Sequence, residues 1–204
     1  MADIGEITRN ILLHFIDSSL LFGGHSSEIL NTHYGYDAAF VSAIEGAKSE
    51  EDVKKIITKE LKMDSSKITS TCCEIVQWAC KAVSVRAAQL AACAVAAVVV
   101  YTGNDKAPEG EEDKGLDVGL DGSYVLLELK REIMLIQYSV AEFLPGFQDR
   151  VREALKILLG EEGTARVRMG LAKDGSGVGG KSSYLHISHS FSLSALRYLF
   201  TADG

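Results

Sequence analysis

The sequence predicts an α/β protein that is rich in helix in its first half, and three observations carry that reading. Apolar residues recur at helical spacing up to Gly103; an alternating, strand-like pattern starts at Leu116; and a second alternating run, Arg166 to Ala172, enters a glycine-rich stretch after another helix. Helices first, then strand, helix, strand and glycine loop, is the order of an α/β domain.

Ile4, Ile7, Ile11 and Phe15 fall on one face of an opening helix, with Gly23-Gly24 as its expected stop. Asp37 is placed to cap a short helix over Ala38 to Glu45. Ser49, with Asp52 three residues on, has the spacing of a capping box, and Val53, Ile56, Ile57 and Leu61 form the stripe behind it. Ser70 to Thr102 reads as a long helical stretch, open to a break, that ends at Gly103; Ala87, Ala88, Ala91 and Ala92 imply that another element packs closely on it. Asn104 to Lys114 is a charged loop. Leu116 to Ser123 alternates, turns and continues into Tyr124-Val125-Leu126, as a β-hairpin does. Val151, Leu155, Leu158 and Leu159 mark a further helix closed by Gly160.

Composition narrows the function classes. The chain has 204 residues, 47% of them hydrophobic and 24% charged, enough to bury a core as one domain. A formal net charge of -7 argues against a cationic face for nucleic acid or anionic lipid. The apolar run from Ala87 to Val100 is shorter than the ~20 residues of a bilayer span and reads as a buried helix. The opening residues lack the basic start and apolar run of a signal peptide, so a cytoplasmic location and no membrane partner are expected. Cys72, Cys73, Cys80 and Cys93 share one helical segment with no histidine at ligand spacing, which favours reduced thiols over a metal site. His14 is expected to be partly buried, His25 and His33 to lie on the surface, and Trp78 to belong to the core. His186 and His189 have helical spacing but no acidic or thiol partner.

The glycine loop fits two written motifs. Gly175-Ser-Gly-Val-Gly-Gly180-Lys181-Ser182 satisfies the Walker A pattern, in which backbone N–H groups cradle phosphates. Only 22 residues follow Ser182, so this reading requires a circularly permuted phosphate-loop ATPase. The same glycines satisfy GxGxxG, with Asp203 as a ribose-binding acid, although Ser182 to Ser190 makes a poor crossover helix. A plain surface turn is the third reading.

A series of segments resembles the hexokinase family: Ile4 to Leu13, Leu20-Leu-Phe-Gly-Gly24, Phe40-Val-Ser-Ala-Ile-Glu45, Cys80 to Leu90, Val118-Gly-Leu-Asp-Gly-Ser123 and Leu171 to Gly179. The resemblance implies the C-terminal subdomain of an actin-like (ribonuclease H-like) ATPase fold, in which two lobes close over a hexose and Mg-ATP. It places Asp121, Gly122 and Ser123 at the ATP phosphates, Asp174, Gly175, Ser176, Gly177 and Gly179 around the adenosine, and Ser42 as a nucleotide-contacting hydroxyl. A turn without bulky side chains suits that task, because it lets backbone N–H groups approach an anion.

The departures matter as much. Ala38 stands where the family has a threonine that helps to hold the nucleotide. The family's first phosphate hairpin, sugar-binding segment and catalytic aspartate all precede the matched region, so no residue here inherits those roles. The expectation is a domain over residues 1–180 with ATP as ligand, Mg carried mainly by the nucleotide and no protein metal site. Hexose would bind only with a lobe supplied from elsewhere, and exposed core surface would favour self-association. Residues 126–140 read as a non-family insert and 181–204 as an atypical tail; 126–140 and 181–194 are explicable as translated introns. A non-catalytic regulatory or scaffold remnant, and the permuted ATPase using Gly175 to Ser182, are the alternatives.

Overall fold

The computed structural model describes residues 2–107, 115–120, 124–129, 132–137 and 144–171. The chain divides into a unit over Met1–Leu171 and a second over Ala172–Gly204, and all described residues belong to the first. In order, these are α1 (Ala2–Asp17), α2 (Glu28–Asn31), α3 (Ala38–Gly46), α4 (Glu50–Glu60), α5 (Ser70–Tyr101), β1 (Leu116–Leu120), β2 (Tyr124–Leu129), β3 (Glu132–Gln137), α6 (Phe147–Ala165) and β4 (Val167–Leu171).

Local chemistry starts the helices where the sequence says. The Asp37 carboxylate accepts the Ala39 N–H at 2.8 Å and caps α3, and the Ser49 hydroxyl accepts the Asp52 N–H at 3.2 Å and caps α4. Thr69 does the same for α5 through Cys72 N–H. At its far end α5 closes on Gly103 with φ 70°, while Asn104 N–H reaches back to the Val99 carbonyl at 2.9 Å. That is a Schellman cap, with glycine in the left-handed position. α5 runs unbroken over 32 residues.

α1 ends earlier than expected. The helix stops at Asp17, and its closing left-handed residue is Ser19 (φ 57°), not Gly23 or Gly24, which lie in a following 3-10 turn. Ser19 N–H bonds to the Ile16 carbonyl and Leu20 N–H to that of Phe15, at 2.8 and 2.9 Å, so a serine does what glycine commonly does. α6 is interrupted at Gly160 (φ 73°, ψ 176°), the expected closing residue, and a last helical turn follows it.

The core lies where α5 meets its neighbours. Leu12, Leu21, Phe22, Leu30, Tyr36 and Val76 are fully or almost fully buried. On α5, Ala88, Ala92, Ala96 and Val99 present a narrow buried face, and Val151 and Leu155 of α6 are buried in the same cluster. Small side chains let the two helix axes approach, which the alanine run implied.

The opposite face of α5 corrects the expectation of a wholly buried helix: Trp78, Leu90, Val98, Val100 and Tyr101 are exposed. Length and composition alone would let α5 cross a membrane. Trp78 is 59% exposed and rests edge-on against Phe15 at 6.1 Å, so it is not a core residue. His14 is exposed rather than partly buried, while His25 and His33 are exposed as expected. Cys72, Cys73 and Cys80 are buried free thiols and Cys93 is an exposed one.

The strands correct a second expectation. β1 does not form a hairpin with β2; it pairs in parallel with β4, in a register that runs from Leu116↔Val167 to Leu120↔Leu171. β2 pairs antiparallel with β3, from Tyr124↔Gln137 to Leu129↔Glu132. The alternation around Leu116 is that of a strand, but pairing is non-local and does not follow from adjacency.

Candidate functional site

Of the residues expected to contact nucleotide, Ser42 is described; Asp121, Gly122, Ser123, Asp174, Gly175, Ser176, Gly177 and Gly179 lie outside the described residues. Ser42 is half-buried near the middle of α3, whose Val41 and Ile44 are anchored in the core. Ala38 is the first residue of that helix.

One turn beyond Ser42 on α3 lies Glu45, which belongs to a closed polar ring. Arg150 of α6 bonds one guanidinium nitrogen to Glu45 Oε1 and the other to Ser84 Oγ of α5 at 2.6 Å. The Ser84 hydroxyl donates to Glu45 Oε2, also at 2.6 Å. The Glu45 and Arg150 side chains are only 6% and 21% exposed. A carboxylate so far from water is tolerated only when paired, and removing one partner of such a pair typically costs about 3–5 kcal/mol. Three helices are thus joined by side chains whose directions matter.

The sequence reading missed this ring, although it left a signal. Glu45 stands in the last turn of α3 and Arg150 at the end of the first turn of α6, and each charge opposes what the helix dipole favours at its end. Paired charges placed against both dipoles point to a tertiary partner.

The second constituent is the end of the parallel pair. Because Leu120 and Leu171 are register partners, β1 and β4 finish side by side. Asp121 follows β1 directly in sequence, and Asp174 comes three positions after the end of β4. In open α/β sheets the carboxyl ends of parallel strands are where ligands bind. Lower on the pair, Asp117 and Arg168 are register partners and bond at 2.7 Å. That bond holds the Asp117 carboxyl below its usual range and links the two strands side chain to side chain. Arg166 donates to the Asn104 carbonyl at 2.7 Å and so ties the end of α5 to the start of β4.

The arrangement offers a hydroxyl on a braced helix and a shared strand end. Both are means of holding a ligand. Among the described residues, no group of His, Cys, Asp and Glu is placed to hold a metal ion.

Comparison with known proteins agrees with this architecture. The hexokinase family profile matches residues 4–182. The chain is 32% identical over 190 residues to a glucokinase of Aspergillus niger, covering 86% of this chain and 34% of that protein. It is also 32% identical over 182 residues to Glucokinase-1 of Saccharomyces cerevisiae, covering 86% of this chain and 32% of the relative. The chain therefore spans about a third of the length of these curated relatives. Among solved structures, a hexokinase from Schistosoma mansoni complexed with glucose superimposes with a TM-score of 0.59 at 19% identity, covering 83% of this chain and 32% of that one. That likeness speaks for the fold, which is the actin-like ATPase fold of hexokinases, represented among the described residues by a helix-rich part with little sheet. With a profile match running over most of its length, this chain belongs to the hexokinase family.

Proposed function

We propose that this chain carries the nucleotide side of ATP-dependent hexose phosphorylation, the reaction that admits glucose to glycolysis, in the cytoplasm. Ser42, Asp121, Gly122, Ser123, Asp174, Gly175, Ser176, Gly177 and Gly179 are the proposed MgATP contacts. No residue of the chain is assigned to the hexose or to drawing its hydroxyl proton. The observation that carries this reading is the common end of β1 and β4, since the two segments that resemble nucleotide-binding loops follow those strands in sequence.

Mg fits the reading as a passenger of the nucleotide. Phosphate oxygens are its natural ligands. Bound in that way it would neutralise charge on the transferring phosphoryl group. Positioning around both substrates is what phosphoryl transfer requires, so the chain by itself should bind MgATP without phosphorylating glucose.

Residues 126–140 are proposed as an insert within a hexokinase domain over 1–180, with 181–204 as a tail. In support, β2 and β3 pair with each other and not with β1 or β4, with Tyr124 opposite Gln137. Such an excursion can be added to a domain without moving its neighbours. The exposed apolar face of α5 supports self-association, which sedimentation of the purified chain would report as mass rising with concentration.

Titration calorimetry with MgATP tests the main reading. Binding is expected, weakened by Ser42→Ala and left unchanged by Lys181→Ala. Loss of binding in the Lys181 variant alone would favour the permuted phosphate-loop reading. Steady formation of glucose 6-phosphate by the purified chain would overturn the assignment of no catalytic residues.

A further inference from the structure

We propose that Glu45, Ser84 and Arg150 are positioning residues that fix the rotation of α3 about its own axis, and thereby aim the Ser42 hydroxyl. The proposal rests on the nucleotide reading given above for Ser42, but its structural half can be measured without nucleotide.

Two kinds of force hold α3. Val41 and Ile44 pack in the same core cluster as Val53 and Ile57 of α4, and burial of this sort is non-directional: it sets which face of the helix is inward and leaves the fine setting of its rotation to directional contacts. The polar ring is different. Each oxygen of the Glu45 carboxylate receives one donor, Oε1 from Arg150 and Oε2 from Ser84. The remaining arm of the ring joins Arg150 to Ser84. A planar guanidinium that meets a carboxylate and a hydroxyl through different nitrogens accepts a narrow range of orientations. Turning α3 by a fraction of a helical step would strain or break at least one side of the ring and leave a polar group out of water with one partner fewer.

Ser42 precedes Glu45 by one helical turn, so the two share a flank of α3. Whatever fixes the direction of Glu45 fixes that of Ser42. The ring also couples α3 to the chain leading into β4: Arg150 is on α6, which β4 follows almost at once. The end of α3 already adjoins the entry to α6, because a Cβ on Gly46 would stand 3.6 Å from Pro145 Cγ.

Two substitutions probe the ring without adding bulk. Ser84→Ala deletes the hydroxyl, and Arg150→Lys keeps the charge while losing the fork. Each is compared with the unaltered chain by calorimetric MgATP affinity, by amide hydrogen exchange of α3 and α4, and by thermal midpoint, at a temperature where all are folded. Both variants should lose up to about tenfold in MgATP affinity, the scale of one lost hydrogen bond. Amides of α3 should exchange faster while those of α4 hold their rates.

Unchanged α3 exchange in both variants overturns the proposal. So does a lowered thermal midpoint with unaltered MgATP affinity, which would make the ring a brace alone. If the unaltered chain binds no MgATP, the nucleotide reading falls, and with it the aim of Ser42. The exchange measurement then still decides the positioning role, a selective rise in α3 supporting it and its absence removing it.

Discussion

The Glu6 carboxylate of α1 accepts the backbone N–H of Tyr34 at 2.9 Å, across 28 positions of chain. It also receives Arg9 Nε and a second Arg9 nitrogen at 2.7 and 2.6 Å, and Arg9 in turn donates to the Leu30 carbonyl at 2.7 Å. One ion pair thereby ties α1 to α2 and to the segment that follows it. The hydrogen bond from Arg9 is the main influence lowering the Glu6 pKa; burial opposes it, and the Tyr34 N–H adds to the lowering.

From an ordinary value of 4.5 the Glu6 carboxyl is brought down to about 2. The folded value lies below the unfolded one, so the stabilisation is complete above about pH 4.5 and is lost as pH falls through about 2. Thermal midpoints should therefore decline over that window. In Glu6→Gln, part of the decline should vanish, the remainder coming from carboxylates such as Asp64 and Asp117 that are also held low. Parallel midpoint curves for the two proteins would show that Glu6 does not contribute.

Trp78 is the chain's single tryptophan, which makes its surroundings directly readable. At 59% exposure, with one edge contact to Phe15, it should emit at wavelengths near those of indole in water and be quenched readily by iodide. Trp78→Ala should cost far less than the roughly 3–5 kcal/mol of a buried aromatic. Blue-shifted, quencher-resistant emission from the monomer would contradict this placement.

Some of this molecule was legible in the sequence because its causes are local. Asp37 and Ser49 satisfy N–H groups two or three residues away, and Gly103 supplies the backbone conformation that the end of α5 needs. Ser19 shows the limit: a serine took the left-handed position four residues before the glycines that advertise it. Trp78 was misplaced because α5 is apolar on several faces, so spacing alone does not say which face is covered. The pairing of β1 with β4 links residues 51 positions apart, as at Asp117 and Arg168, and turn chemistry next to β1 carries no information about it. The Glu45–Ser84–Arg150 ring spans three helices, and its only trace in the sequence is the unfavourable placement of two charges.

The four cysteines should react very unequally. Cys93 is exposed, whereas Cys72, Cys73 and Cys80 are buried. Burial pushes the Cys80 thiol up to about 12, beside the Tyr36 hydroxyl at 3.4 Å, and raises Cys73 as well. At Cys72 burial acts upward too, but hydrogen bonds from Thr69 and from the Phe22 N–H together bring it below its usual value; access, not ionisation, is what protects it. An aromatic disulfide reagent should thus titrate one thiol rapidly in the native protein and the others only on unfolding. Cys93→Ser should remove the rapid phase, and a rapid phase surviving in that variant would place an accessible thiol elsewhere.

Gly5 and Gly46 are expected to answer the same substitution with opposite signs. Both lie in helices, where replacing glycine by alanine ordinarily stabilises by up to about 1 kcal/mol through the backbone entropy of the unfolded chain. At Gly46 an added Cβ meets Pro145 Cγ at 3.6 Å, an ordinary contact, so Gly46→Ala should be neutral or stabilising. At Gly5 an added Cβ would fall 2.0 Å from the Tyr36 carbonyl oxygen and 3.1 Å from the Ala38 nitrogen. Those are backbone atoms, held by the Glu6 clamp on one side and by the start of α3 on the other, so α1 itself must shift. Gly5→Ala should lower stability by about 1–3 kcal/mol or more, the scale of overpacking in a filled interior. Chemical denaturation of the two variants side by side measures the difference, and a Gly5→Ala midpoint at or above that of the unaltered chain would mean that α1 does not press against the Tyr36 carbonyl.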